Sequence, residues 1–139
     1  MQQRDSLVYQ VGLLNGKLVQ SLDEQLERYQ LDARLWPVLF VLWQQQGLTQ
    51  TELAAKCNVQ AYTITRMLDQ LQKLGLIERR QEPDNRRILR IFLTDCGQAI
   101  EQDLILEAQK VEDGLTQKLT EQEREQLTLL LAKLNASND

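Results

Sequence analysis

The sequence predicts a mostly α-helical fold carrying one small β-hairpin. Three observations predict it. Apolar residues recur three or four apart over most of the chain. Leucine and glutamine are abundant while aromatics make up only 5%, a balance that favours helices over a β-sandwich. Two short runs, 76–80 and 88–93, break the helical period and flank a polar turn. The 139 residues fit a single domain over 1–139 with a core of its own. At 42% hydrophobic and 26% charged the chain is near globular averages, which excludes global disorder.

The first helix is predicted over 6–29, where Leu7, Val11, Leu14, Leu18, Leu22 and Leu26 form one stripe. A second follows over 33–45; it is apolar nearly all round and therefore central, with Pro37 suited to its first turn. Thr49 and Glu52 form a capping box, with Leu48 and Leu53 as its hydrophobic staple. That box opens a short helix to about 57, which Asn58 can end in a left-handed conformation. The next helix, 60–74, has Ile64, Met67, Leu68, Leu71 and Leu74 on one face and Tyr62, Thr65, Arg66, Asp69 and Lys73 on the other. Gly75 ends it, with Leu76 placed to contact Leu71. A hairpin with a basic tip at 81–87 follows. Thr94 then caps a long helix to about 119, and Thr120 with Glu123 opens a last one carrying Leu127, Leu130, Leu131 and Leu134.

Composition removes several functions. There is no histidine, which excludes Ser-His-Asp triads, Cys-His dyads and His-ligated zinc. Cys57 and Cys96 alone make neither a four-cysteine zinc site nor a disulfide framework. No metal, cofactor or catalytic residue is expected, and carboxylate pairs such as Asp103 with Glu107 are read as solvated. Met1-Gln2-Gln3-Arg4-Asp5 lacks the apolar run of a signal peptide, and no apolar stretch reaches about 18 residues, so a cytoplasmic protein without a membrane span is expected. The net charge is −4, yet the signs are segregated: residues 49–90 carry +3 and the remainder −7. The middle of the chain therefore points to an anionic partner.

A short helix, a tight turn, a second helix and a hairpin make a winged helix-turn-helix, whose second helix enters the DNA major groove. Helix 60–74 suits that role. Gln60 can bond adenine, Arg66 guanine or phosphate, and Ala61, Thr63 or Thr65 can touch a thymine methyl, with Tyr62 beside them. Thr49, Gln50 and Thr51 at the start of the preceding helix suit a phosphate. Arg86 and Arg87 project from the wing and can enter a narrow minor groove, and Asp84 could pair with Arg86 and aim it. Each feature also has a plain reading: a solvated helix face, an ordinary charged turn, and Trp36 and Trp43 as core. Cys57 and Cys96 are read as small, partly buried side chains; a redox role would need a depressed pKa.

These residues resemble the multiple-antibiotic-resistance regulator (MarR) family of bacterial winged-helix transcription factors. Leu48-Thr49-Gln50-Thr51-Glu52-Leu53-Ala54 resembles the start of the family's DNA-binding unit. Thr63-Ile64-Thr65-Arg66-Met67-Leu68-Asp69-Gln70-Leu71 resembles its recognition helix. Gly75-Leu76-Ile77-Glu78-Arg79, then Asp84-Asn85-Arg86-Arg87, Leu93-Thr94 and Gly97, resemble its wing. The resemblance runs nearly the whole chain in element order and is most specific at 48–97.

The resemblance implies an obligate homodimer reading a pseudo-palindrome in double-stranded DNA. The winged lobe would span 33–93, with 6–30 and 95–135 as dimerisation helices. Arg86 matches the family's minor-groove arginine, Asp84 its orienting partner and Arg66 a recognition-helix contact. It also implies repression relieved by a small aromatic or phenolic effector, for which Asn15, Lys17 and Trp36 are candidate contacts. Asn58 stands where the family commonly has glycine, the first turn 60–62 lacks an arginine, and no cysteine lies near the N-terminus as in redox-sensing members. The rival expectation is a winged-helix protein-interaction module that does not bind DNA.

Overall fold

The computed structural model describes residues 1–136, so the last three positions of the 1–139 domain lie outside the described residues. A 3₁₀ turn at Gln3–Asp5 leads into α1 (Leu7–Leu26), capped by the Ser6 hydroxyl accepting from the Tyr9 amide at 3.1 Å. The first helix is shorter than expected, because Glu27–Tyr29 tightens into a 3₁₀ turn closed by Gln30 at φ 62°. Helix α2 (Trp36–Gln44) also starts later than 33. The Asp23 and Asp32 carboxylates capture the amides of Ala33 and Arg34 at 2.7 and 3.0 Å and hold that stretch as a turn.

The helix-turn-helix caps form as the residues dictate. The Thr49 hydroxyl accepts from the Glu52 amide and the Glu52 carboxylate accepts from the Thr49 amide, both at 3.1 Å, opening α3 (Gln50–Lys56). Asn58 adopts φ 53°, so the turn into α4 (Ala61–Lys73) needs no glycine. Beyond α4, Gly75 at φ 77° completes a Schellman motif: the Leu76 amide donates to Leu71 O at 3.0 Å and the Gly75 amide to Gln72 O at 2.9 Å.

The sheet holds a strand that sequence reading did not anticipate. β1 (Leu48–Thr49) pairs antiparallel with β3 (Asn85–Leu93), which also pairs with β2 (Ile77–Glu82), giving the order β1-β3-β2. Both hairpin strands run further than expected, and the turn shrinks from 81–87 to Pro83-Asp84. The register is regular from Ile77↔Leu93 to Gln81↔Leu89, then jumps to Glu82↔Asn85. Arg86, Arg87 and Ile88 are therefore extra residues on one strand, bulged out of the ladder.

The helix expected after Thr94 is divided at Ile100 into α5 (Asp95–Ala99) and α6 (Glu101–Thr116). A second capping box at Thr120 and Glu123 opens α7 (Glu121–Asn135). The core draws Leu39 and Leu42 from α2, Leu68 and Leu71 from α4, Ile91 from the sheet and Leu104 from α6, all fully buried. Each such side chain contributes about 1.5–3 kcal/mol by leaving water. Outside this core, α1 exposes Leu7, Val8, Val11 and Leu14, and α7 buries none of its side chains. Among the described residues no helix is long and apolar enough to cross a membrane.

Candidate nucleic-acid interface

Helix α4 is amphipathic by construction. Ile64, Met67, Leu68 and Leu71 are buried, so Ala61, Tyr62 and Arg66 are left in solvent, with Thr63 partly covered. Gln60 sits just before the helix with an extended backbone and caps nothing with its side chain. The start of α3, the start of α4 and β3 enclose an open groove of about 630 Å³. It brings together Thr49, Gln50, Thr51, Ala61 and Arg87 among the expected site residues. Glu52 lies beside this groove, and its hydrogen bonds from Thr49, backbone amide first, hold its carboxyl below the usual carboxylate range.

The arginines sort into two groups. Of the ten in the sequence, Arg4, Arg28, Arg34, Arg79, Arg80, Arg90 and Arg124 each pair with a carboxylate. Among the described residues, Arg66, Arg86 and Arg87 make no ion pair, and all three are exposed. One lies on the outer face of α4 and two in the wing bulge. Among the described residues, the arginines that make no ion pair are therefore gathered on this face. The wing itself is braced from below: Arg90 pairs with Glu82 and donates to Gly47 O at 2.9 Å, and the Arg80 guanidinium lies 4.0 Å over the Phe92 ring.

Three expectations are revised by the geometry. Asp84 is exposed at the turn and makes no ion pair with Arg86; the tip is held instead by the Arg87 amide donating to Asn85 Oδ1 at 3.1 Å. Thr65 and Gln50 do not present their polar atoms outward. Gln50 Nε2 donates to Thr65 Oγ1 at 2.7 Å, and that hydroxyl donates to Ala61 O at 3.0 Å, which joins α3 to α4.

Sequence reasoning missed Arg79 and Asp69. Arg79 reaches from β2 to Asp69 Oδ1 at 2.7 Å and to the Thr65 carbonyl at 3.3 Å. The available signal was an arginine at a half-buried position of a strand, where a charge needs a partner. The candidate effector contacts are spread out. Asn15 and Lys17 are exposed on α1, whereas Trp36 is half-buried on α2, 5.8 Å from the Phe40 ring and 5.6 Å from that of Trp43. Trp43 is tied to the core by donating from Nε1 to Gly97 O at 3.0 Å.

A braced β-hairpin beside an exposed second helix, with the unpaired arginines gathered on both, defines a winged helix-turn-helix nucleic-acid-binding protein. The model for the MarR family matches residues 31–89. The multiple antibiotic resistance protein MarR of Escherichia coli (strain K12) is 33% identical over 125 residues, covering 89% of this chain and 87% of that protein. The HTH-type transcriptional regulator YwoH of Bacillus subtilis (strain 168) is 29% identical over 119 residues, 86% of each chain. A crystal structure of a mutant MarR from E. coli complexed with operator DNA superposes with a TM-score of 0.83 at 30% identity, covering 94% of each chain. The chain belongs to the MarR family and is a DNA-binding transcriptional regulator.

Proposed function

We propose that the protein acts as a homodimeric repressor that occludes a promoter. Each protomer lays α4 in the major groove, with Gln60, Ala61, Tyr62, Thr63 and Arg66 toward base edges, while Thr49 and Thr51 take a phosphate. Arg86 and Arg87 enter the flanking minor groove. The observation that carries this reading is the concentration of unpaired arginines on α4 and the wing. The exposed apolar faces of α1 and α7 support a second copy as the partner. Operator DNA in the structure of the E. coli relative supports the choice of nucleic acid.

Relief of repression comes from a small aromatic or phenolic acid near Trp36, with Asn15 and Lys17 as polar contacts. Such an effector must bind one lobe spacing better than the other to move the equilibrium. No catalytic step or resident cofactor is needed for this activity, which belongs to the cytoplasm. The test is selection of DNA sites by the purified dimer, followed by a salt titration on the recovered site. The expected result is a pseudo-palindrome with half-sites about 10 base pairs apart and an affinity that falls steeply with salt. No enrichment and no salt dependence would move the protein to the class of winged-helix protein-interaction modules. Salicylate-like acids added to the bound complex should release DNA and change tryptophan emission; indifference across a chemically broad set refutes the effector.

A further inference from the structure

We propose that Arg79 is a positioning residue for sequence recognition. It fixes how far α4 is rolled about its axis toward the DNA without touching DNA itself. The inference rests on the DNA-binding reading above. Thr65 is the node through which it works. Its hydroxyl is held by Gln50 of α3 at 2.7 Å, and its carbonyl by Arg79 of β2 at 3.3 Å. One residue of the recognition helix is thus gripped by two different elements, through two different atoms. Arg79 adds a second grip one turn further on, at Asp69 Oδ1, 2.7 Å away. The Arg79 side chain is 18% exposed and its charge is already answered by Asp69, so it has little to offer a phosphate.

Both arms leave one polar atom unmatched, Gln50 Oε1 and Arg79 Nε, each buried without a partner. Orphaned buried atoms are rare and costly. The geometry here is therefore dictated by the bonds that are made, not by full satisfaction of each side chain. Tyr62, Thr63 and Arg66 are carried on the same rigid helix. Side-chain atoms lie about 5–6 Å from a helix axis, so a roll of about 20° displaces them by about 2 Å. That displacement is enough to break a hydrogen bond to a base edge. It leaves Arg86 and Arg87, on the wing, where they are.

The test measures the ratio of operator to non-operator affinity, the salt slope and the thermal midpoint for the full chain carrying Arg79→Gln, Arg79→Lys or Asp69→Asn. The expected result is a ratio lowered roughly 10-fold in Arg79→Gln and in Asp69→Asn, with the salt slope unchanged. Arg79→Lys should recover part of the ratio, since lysine can reach one partner but not both. Asp69→Asn is the decisive variant and the mildest, because the Asp69 side chain is 60% exposed. If Arg79 contacts DNA, removing the Asp69 charge raises affinity and Arg79→Gln shallows the slope; either result overturns the proposal. So does an unchanged ratio in all three variants. Failure of the unaltered protein to prefer any sequence in the same assay would instead overturn the DNA-binding reading.

Discussion

Gly97 sits where the wing, the end of α4 and the start of α5 meet, and replacing it with alanine should unseat that junction. A Cβ at Gly97 would lie 2.1 Å from Leu76 O, against 3.4 Å where ordinary contact begins. The shortfall is about 1.3 Å, and neither backbone is free to give way. Leu76 O accepts from the Thr94 amide at 3.0 Å, and the Leu76 amide completes the Schellman cap on Leu71 O at 3.0 Å. Gly97 is pinned by its own amide on Thr94 Oγ1 at 3.1 Å and by the Trp43 indole on its carbonyl at 3.0 Å. Overpacking of a fixed site costs about 1–3 kcal/mol, and one sacrificed hydrogen bond adds about 1 kcal/mol. The expected total is about 2–4 kcal/mol. For a chain of this size that corresponds to a thermal midpoint lower by roughly 6–15 °C. Circular dichroism melting reads the midpoint. Tryptophan emission of the folded Gly97→Ala variant reports whether the Trp43 bond is the one given up. A loss of less than about 2 °C with unchanged emission would refute the assignment of Gly97 as a close-approach site.

Further outcomes are expected. Arg87→Ala should shallow the salt slope by about 0.9 for each phosphate that is no longer neutralised, nearly two for a dimer altered in both copies. Arg34→Ala should leave the slope alone, because Asp32 already pairs that guanidinium at 2.9 Å. Glu52 is held below the usual carboxylate range by Thr49, so its contribution is present above that range and fades as pH falls through the folded value. Acid titration of Glu52→Gln should accordingly show a shallower loss of stability as pH falls below the usual carboxylate range. Partial burial pushes the Cys57 thiol up while Cys96 is exposed, so a maleimide at neutral pH should label Cys96 first and Cys57 more slowly. Leu14→Asp, on the exposed face of α1, should shift the protein toward monomer in sedimentation equilibrium.

The features legible in the sequence are those that local chemistry settles. Thr49 with Glu52, and Thr120 with Glu123, close their capping boxes from residues three apart. Gly75 needs only its own φ and the Leu71–Leu76 bond. Features set by distant partners were not legible. Leu48-Thr49 becomes a strand only because Ile91 and Arg90 lie opposite. The wing turn contracts because the ladder resumes at Glu82 and Asn85, past a three-residue bulge that the polar composition of this stretch does not mark. Thr65 reads as a groove-facing hydroxyl until Gln50, fifteen positions away in the chain, is seen to hold it. The site was legible in its cations, Arg66, Arg86 and Arg87, and illegible in Gln50 and Arg79, which hold the recognition helix at Thr65.

Helix α7 is 15 residues long and buries none of its side chains within its own chain. Leu129 and Leu134 stand 70% and 72% exposed. A free helix of that length is marginal in water even with a favourable sequence. In the homodimer proposed above its order is borrowed from the second copy, which makes the final step of folding bimolecular. Stability then depends on how much protein is present: a tenfold dilution weakens the dimer by about 1.4 kcal/mol. For a regulator made in small amounts, the supply of the chain itself becomes a condition for its folding, and scarce copies are the ones most open to proteolysis.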